Sequence, residues 1–265
     1  MALWHVVFSS PRRLPLFPTE KQQRKAVRRL VRIARGILVL FGLVNEHGHT
    51  VVQIPEARVG PFKRSVRLSL GAVAAEPIGP VWVEPVEDPK HLRSLVRYHL
   101  TQAPHHEVPS HPALWSGSCF HELARTRAVD GLELRIAETL PKLRLREVYE
   151  MVGLPPRELE PVTDDELRRL GAARLVDAAA AALAVAPELK GNEPPVVQVR
   201  HVVAQLGHQA DIPRSELRWA LDVSRTTLHR LVGGARNSKH ERAVRMRLSL
   251  EEAVANGNKR GAATG

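Results

Sequence analysis

The sequence predicts an α+β fold in the first half of the chain, an antiparallel sheet with packed helices, followed by an all-helical part. Strand-like and helix-like runs alternate through the first half in the order β, α, β, β, α, β, α. From about Leu123 onward helical periodicity persists and no strand signal returns. A length of 265 residues with 43% hydrophobic content is enough for two cores, so domains are expected at 1–122 and 123–265. Aromatic residues make up only 4%, which leaves the packing to Val, Leu and Ala.

The elements follow in order. Leu3 to Phe8 reads as a first strand closed by the turn Ser9-Ser10-Pro11-Arg12-Arg13. Thr19 to Arg35 reads as an amphipathic helix with Ala26, Leu30, Ile33 and Ala34 on its apolar stripe and Lys21, Arg24, Lys25, Arg28 and Arg29 outside it. Gly36 ends that helix. Strands follow, including a stretch from Phe41 to Pro55 that reads as a strand or as a hairpin bent between Asn45 and Gly48. Pro61 to Ala74 is a second basic helix, with Lys63, Arg64 and Arg67, and VWVEPV is a short strand. A third helix starts at Asp88 and Pro89, repeats Leu92, Leu95, Val96 and Leu100 at helical spacing, and is expected to end at Pro104.

Two histidines interrupt the apolar strand. His47 and His49 are two residues apart, so on a strand they share a face, roughly 7 Å apart along the backbone. That spacing suits one metal ion, and it equally suits pocket histidines with no ligand. On the third helix Tyr98 and Gln102 lie four apart and also share a face.

Asn45, His47, His49, Tyr98, Gln102 and Pro104, in that order, resemble the HUH single-tyrosine transposases, most closely the REP-associated tyrosine transposases of bacteria. The opening strand and loop, and Leu114 to Ser118 (LWSGS), extend the resemblance over roughly the first half of the chain. It implies a ferredoxin-like sheet and an enzyme that nicks and rejoins single-stranded DNA through a 5′-phosphotyrosine intermediate. Tyr98 would be the nucleophile, with Arg97 helping to activate it, and His47, His49 and Gln102 would hold Mg²⁺ or Mn²⁺. The substrate would be single-stranded DNA beside a hairpin, and the protein a homodimer. The chain departs from the pattern at Glu46, inserted before the first histidine, at Gly48, where relatives carry a bulky apolar residue, and in the loop holding Arg12 and Arg13.

In the helical half, residues 213–234 resemble a helix-turn-helix. Ser215 is expected to cap a helix to Leu221, Asp222 and Val223 to make the turn, and Ser224 to cap a second helix closed by Gly233 and Gly234. That helix would present Arg225, Thr226, Thr227, His229 and Arg230 to a major groove, while a plain helical hairpin has the same layout. Thr163 is expected to cap one long helix, the last helix is basic, and residues 256–265 are expected to fray. His105, His106 and His111 are read as a solvated loop, and Cys119 and His121 as a buried thiol and a satisfied histidine.

Lys and Arg exceed Asp and Glu by 39 − 28 = +11, with a pI near 10.6, which favours a polyanionic partner, and Arg12, Arg13 and Arg97 are expected to contact DNA beside the residues of the helix-turn-helix. With a single cysteine no intramolecular disulfide forms, and no run reaches membrane-spanning length, so a cytoplasmic protein is expected. Three other functions share these residues. One is a catalytically inactive, sequence-specific DNA-binding regulator on the same scaffold, and another is a metal-dependent hydrolase using His47 and His49. The third is a replication or transfer nickase; such enzymes often carry a second tyrosine near the first, whereas Tyr149 lies far from Tyr98.

Overall fold

The computed structural model describes residues 1–105, 111–155 and 159–262. It divides into two compact units, Met1–Ala124 with Asp130–Glu158, and Arg125–Val129 with Leu159–Gly265. A boundary at 122 therefore misplaces residues 130–158, which belong with the sheet.

The first unit is built on four strands, β1 (Ala2–Ser9), β2 (Leu38–Leu43), β3 (His47–Ile54) and β4 (Val81–Pro85), in the spatial order β2-β3-β1-β4. Every neighbouring pair is antiparallel. β1 is therefore parallel to β2, and β3 to β4, and each parallel link carries a helix: α1 (Glu20–Ala34) and α2 (Val59–Gly71). Right-handed crossovers put both helices on the same face of the sheet, where they pack on each other. The opposite face receives α3 (Pro89–His105).

Local chemistry explains these elements. Thr19 caps α1 in a reciprocal box with Gln22, each side chain reaching the other's backbone N–H at 3.3 Å. The buried stripe of α1 is Ala26, Val27, Leu30, Val31 and Ala34, whereas Ile33 is only half-buried, one step round the helix from the expected stripe. Between β2 and β3 the chain turns at residues 44–46, so Asn45 and Glu46 lie in a turn and the stretch from Phe41 to Pro55 is a hairpin. The Asn45 carbonyl accepts from the Leu16 and Phe17 N–H groups at 2.5 and 3.2 Å, which ties the turn to the loop after β1. Asp88 caps α3 by accepting from the His91 N–H at 2.7 Å. The helix runs through Pro104 to His105, so the proline sits in its last turn instead of beyond it; His106 lies outside the described residues.

Trp115 to Ser118 latch onto β2: the indole N–H donates to the Leu43 carbonyl at 2.9 Å, and the Leu43 N–H donates to the Gly117 carbonyl at 2.9 Å. A side chain at position 117 would come within 2.1 Å of the Leu43 oxygen, so only glycine fits there. Three short helices complete the unit, α4 (Phe120–Leu123), α5 (Ile136–Thr139) and α6 (Leu145–Met151). The Arg135 N–H bonds the Leu38 carbonyl at 2.8 Å, Glu147 pairs with Arg93 at 2.9 Å, and Tyr149 is buried against Phe120. These contacts hold residues 130–155 to the sheet unit. Cys119 is buried, and His121 is buried with Nε2 at 3.0 Å from the Trp115 carbonyl. His111 is half-buried, and its Nδ1 accepts from the Ala113 N–H at 3.2 Å, so it caps a short 3₁₀ turn instead of standing in solvent.

The second unit is helical. Thr163 and Glu166 form a capping box on α7 (Asp164–Ala182), but Gly171, at φ 78 and ψ 173, breaks the helix that the sequence reads as continuous. Beyond the break the Ala172 N–H donates to the Glu216 carboxylate at 2.6 Å, a fresh cap supplied by another element. Leu175, Ala178, Ala179 and Ala182 pack with Val199 and Val203 of α8 (Pro194–Gln209). There follow α9 (Arg214–Leu221), a turn at Asp222 in the left-handed region with φ 50, α10 (Arg225–Val232) and α11 (Ser238–Ala262). Pro213, not Ser215, occupies the N-cap position of α9, and Ser215 lies in the first turn of the helix. Ser224 caps α10 as expected, and α11 continues through the expected frayed tail to Ala262. No helix among the described residues is long and apolar enough to cross a membrane.

Candidate active site

Strand periodicity and register put His5 and Val7 of β1, His47 and His49 of β3, and Trp82 and Glu84 of β4 on one face of the sheet. α3 lies over this face. A Cβ added to Gly42, the β2 residue paired with His49, would meet the His99 ring at 3.3 Å, so the missing side chain lets the helix approach.

The helix brings its polar pair onto the histidines. Tyr98 Oη lies 3.4 Å from His49 Nε2, and the Gln102 amide nitrogen lies 3.4 Å from that same atom. The His47 ring stands edge-on to His49 at 4.7 Å between centroids. His49 and Gln102 are buried, His47 is half-buried, and Tyr98 remains 44% exposed. A phenol that reaches both a buried imidazole and solvent is accessible to a large substrate. Burial pushes the Tyr98 pKa above its ordinary value of 10, against a hydrogen bond to Gln102 that lowers it, so the hydroxyl is protonated at neutral pH.

Gly48 has a structural reason. A Cβ there would lie 2.2 Å from Phe8 Cζ, because the ring of Phe8, paired with Gly48 across the sheet, covers that position.

The predicted basic residues fall in several places. Arg12 and Arg13 are exposed in the turn leaving β1 at Ser9, which pairs with His47, so they emerge at the histidine end of the sheet. Arg97 is exposed and lines a cleft of about 470 Å³ with Lys90, Arg93, Ser94 and Glu147. In the second unit Arg225 and Thr226 line a cleft of about 710 Å³ between α9 and α10, together with Arg214, Arg218 and His229. Arg230 is exposed. Thr227 is half-buried, and its N–H and hydroxyl both bond the Ser224 hydroxyl, at 3.1 and 3.0 Å. Glu46 is exposed in the β2–β3 turn.

Sequence reasoning missed His5, Glu84, His99 and Trp82. His5 Nε2 lies 3.1 Å from His49 Nδ1, and its other nitrogen lies 3.5 Å from the Glu84 carboxylate. Burial holds the His5 pKa below its usual value, opposed by Glu84. His99 is fully buried, with Nδ1 2.6 Å from the Leu95 carbonyl, and burial takes its pKa to about 4. The available signal was a histidine at an apolar strand position between Trp4 and Val6.

Among the described residues no three or more His, Cys, Asp or Glu side chains converge to hold a metal ion. The set here is two imidazoles and an amide. The Gln102 carbonyl oxygen is buried with no hydrogen-bond partner, and a half-turn of the amide would exchange it with the nitrogen facing His49 Nε2. An amide oxygen and two imidazoles fit a divalent cation such as Mg²⁺ or Mn²⁺.

No protein-family model and no curated protein matches the chain. Among solved structures, the pyridine synthase TbtD from thiomuracin biosynthesis aligns over 97% of this chain and 99% of its own, at 13% identity and a TM-score of 0.27.

Proposed function

We propose that the chain is a metal-dependent single-tyrosine DNA strand transferase of the HUH type, a transposase or endonuclease acting on single-stranded DNA. The observation that carries this reading is the convergence of Tyr98 Oη and the Gln102 amide on His49 Nε2, each at 3.4 Å, where α3 crosses the sheet face that carries the histidines. The βαββαβ order with strands arranged β2-β3-β1-β4 supports the ferredoxin-like sheet that the resemblance implies. Burial of Tyr149 at 1% exposure leaves Tyr98 as the accessible phenol and favours the single-tyrosine type over a two-tyrosine nickase.

Tyr98 Oη attacks the scissile phosphorus, the bond from phosphorus to the 3′ oxygen breaks, and the product is a 5′-phosphotyrosine with a free 3′ hydroxyl. His47 and His49, with the Gln102 oxygen, would hold Mg²⁺ or Mn²⁺, which when bound supplies Lewis-acid polarisation of the phosphate. The phosphotyrosine conserves the bond, so rejoining needs no ATP. Trp82, 57% exposed on the His49 face and two strands away at about 10 Å, offers a surface on which an unpaired base stacks.

The arginine-lined α9–α10 cleft supports duplex binding by a helix-turn-helix, with Arg225, Thr226 and Arg230 toward DNA. The same cleft favours the second reading, a DNA-binding regulator on an inactive scaffold. Mass spectrometry after incubation with single-stranded hairpin DNA and Mn²⁺ separates the two. A nucleotide on the peptide containing Tyr98 supports strand transfer, and tight binding with unmodified Tyr98 supports the regulator.

A further inference from the structure

We propose that His5 and Glu84 are positioning residues that fix the tautomer and ring orientation of His49; the proposal rests on the reading of His49 as a site residue. β1 runs between β3 and β4, and His5 pairs directly with Glu84 on one side and with Val51, two residues from His49, on the other. The His5 and His49 rings stack at 5.3 Å with 16° between their planes, and both are at least 94% buried by their exposures of 6% and 5%.

The order of the contacts dictates where the protons sit. The Glu84 carboxylate, 63% exposed, stands as a hydrogen-bond acceptor toward His5, which places the proton of His5 on Nδ1, 3.5 Å away. Neutral His5 then presents an acceptor at Nε2, 3.1 Å from His49 Nδ1, and the proton of His49 belongs on that Nδ1. His49 Nε2 is left with its lone pair directed at the Tyr98 hydroxyl and the Gln102 amide, the form required of a metal ligand or of a hydrogen-bond acceptor for the phenol. The opposite tautomer would set two lone pairs against each other across 3.1 Å and aim an N–H at the Tyr98 hydroxyl and the Gln102 amide.

Long-range ¹H–¹⁵N correlation spectra of the full metal-free chain, labelled at histidine, read the tautomer directly, and Mn²⁺ titration followed by electron paramagnetic resonance reads its consequence. Wild type is expected to carry the His49 proton on Nδ1. His5→Phe, which keeps a ring in the stack, is expected to lose that pattern and to bind Mn²⁺ about 10- to 100-fold more weakly. Glu84→Gln retains an acceptor oxygen and is expected to keep the pattern, whereas Glu84→Leu is expected to lose it. Should His5→Phe fail to fold, Glu84→Leu, at an exposed position, makes the same test. A His49 proton on Nε2 in wild type, or an unchanged pattern in both His5→Phe and Glu84→Leu, overturns the proposal. Absence of Mn²⁺ binding in wild type would count against the metal-dependent reading alone, and the spectra would still decide the tautomer.

Discussion

The Tyr98 hydroxyl and the His49 Nε2 atom lie 3.4 Å apart although 49 residues separate them in the chain. The contact exists because α3 crosses the sheet face that carries the histidines. It makes the metal prediction specific: His49→Ala and Gln102→Ala, each removing a proposed ligand, are expected to weaken Mn²⁺ binding by more than about 100-fold, beyond the effect of losing an outer partner. Calorimetric titration checks this. Unchanged affinity in both variants would remove them from the ligand set.

Gly48 is expected to be intolerant of a side chain. Phe8 is fully buried and cannot swing away from a Cβ 2.2 Å from its ring. Gly48→Ala should cost about 1–3 kcal/mol through overpacking, and adding Phe8→Leu to that variant should recover part of the loss. Denaturant unfolding of the single and double variants measures the coupling, and additive losses would contradict the clash.

Acid should destabilise the first unit through His99. Its folded-state pKa of about 4 lies below the unfolded value of 6.5, so the unfolded chain binds the extra proton first. The contribution is fully present above pH 6.5 and is lost as pH falls toward 4, up to about 3 kcal/mol. His5, also depressed by burial, acts in the same direction. Unfolding free energies at pH 7 and pH 4.5 should differ less in His99→Gln than in wild type; an equal difference would exclude His99 as the source.

The two proposed DNA surfaces should separate by substrate. Trp82→Ala is expected to weaken single-stranded DNA binding by about 1–3 kcal/mol and leave duplex binding unchanged. Arg225→Ala and Arg230→Ala should each lower the salt dependence of duplex binding by about one unit of slope. Fluorescence anisotropy with both DNA forms across a salt series makes the comparison, and equal effects on both forms would contradict it.

How much was legible follows from the range of the rules involved. Spacing rules of two on a strand and four on a helix were enough to pair His47 with His49 and Tyr98 with Gln102, and alternating patterns gave the element order of the sheet unit. His5 and Glu84 stayed hidden because their roles depend on β1 lying between β3 and β4, and strand order is a long-range property. Ile33 was misplaced since Val27 and Val31 fit the same period. The break at Gly171 depends on a cap from Glu216, 44 residues later, and the docking of residues 130–155 depends on contacts such as Arg93 with Glu147.

The most direct test of the central claim is a denaturing gel of end-labelled single-stranded hairpin DNA, taken from the flanks of the protein's own gene, incubated with Mn²⁺ and either wild type or Tyr98→Phe. The account predicts a covalent protein–DNA band with wild type that disappears with Tyr98→Phe and with chelator. A band that persists in Tyr98→Phe, or tight binding by wild type with neither adduct nor nick across metals and flanking sequences, would contradict it.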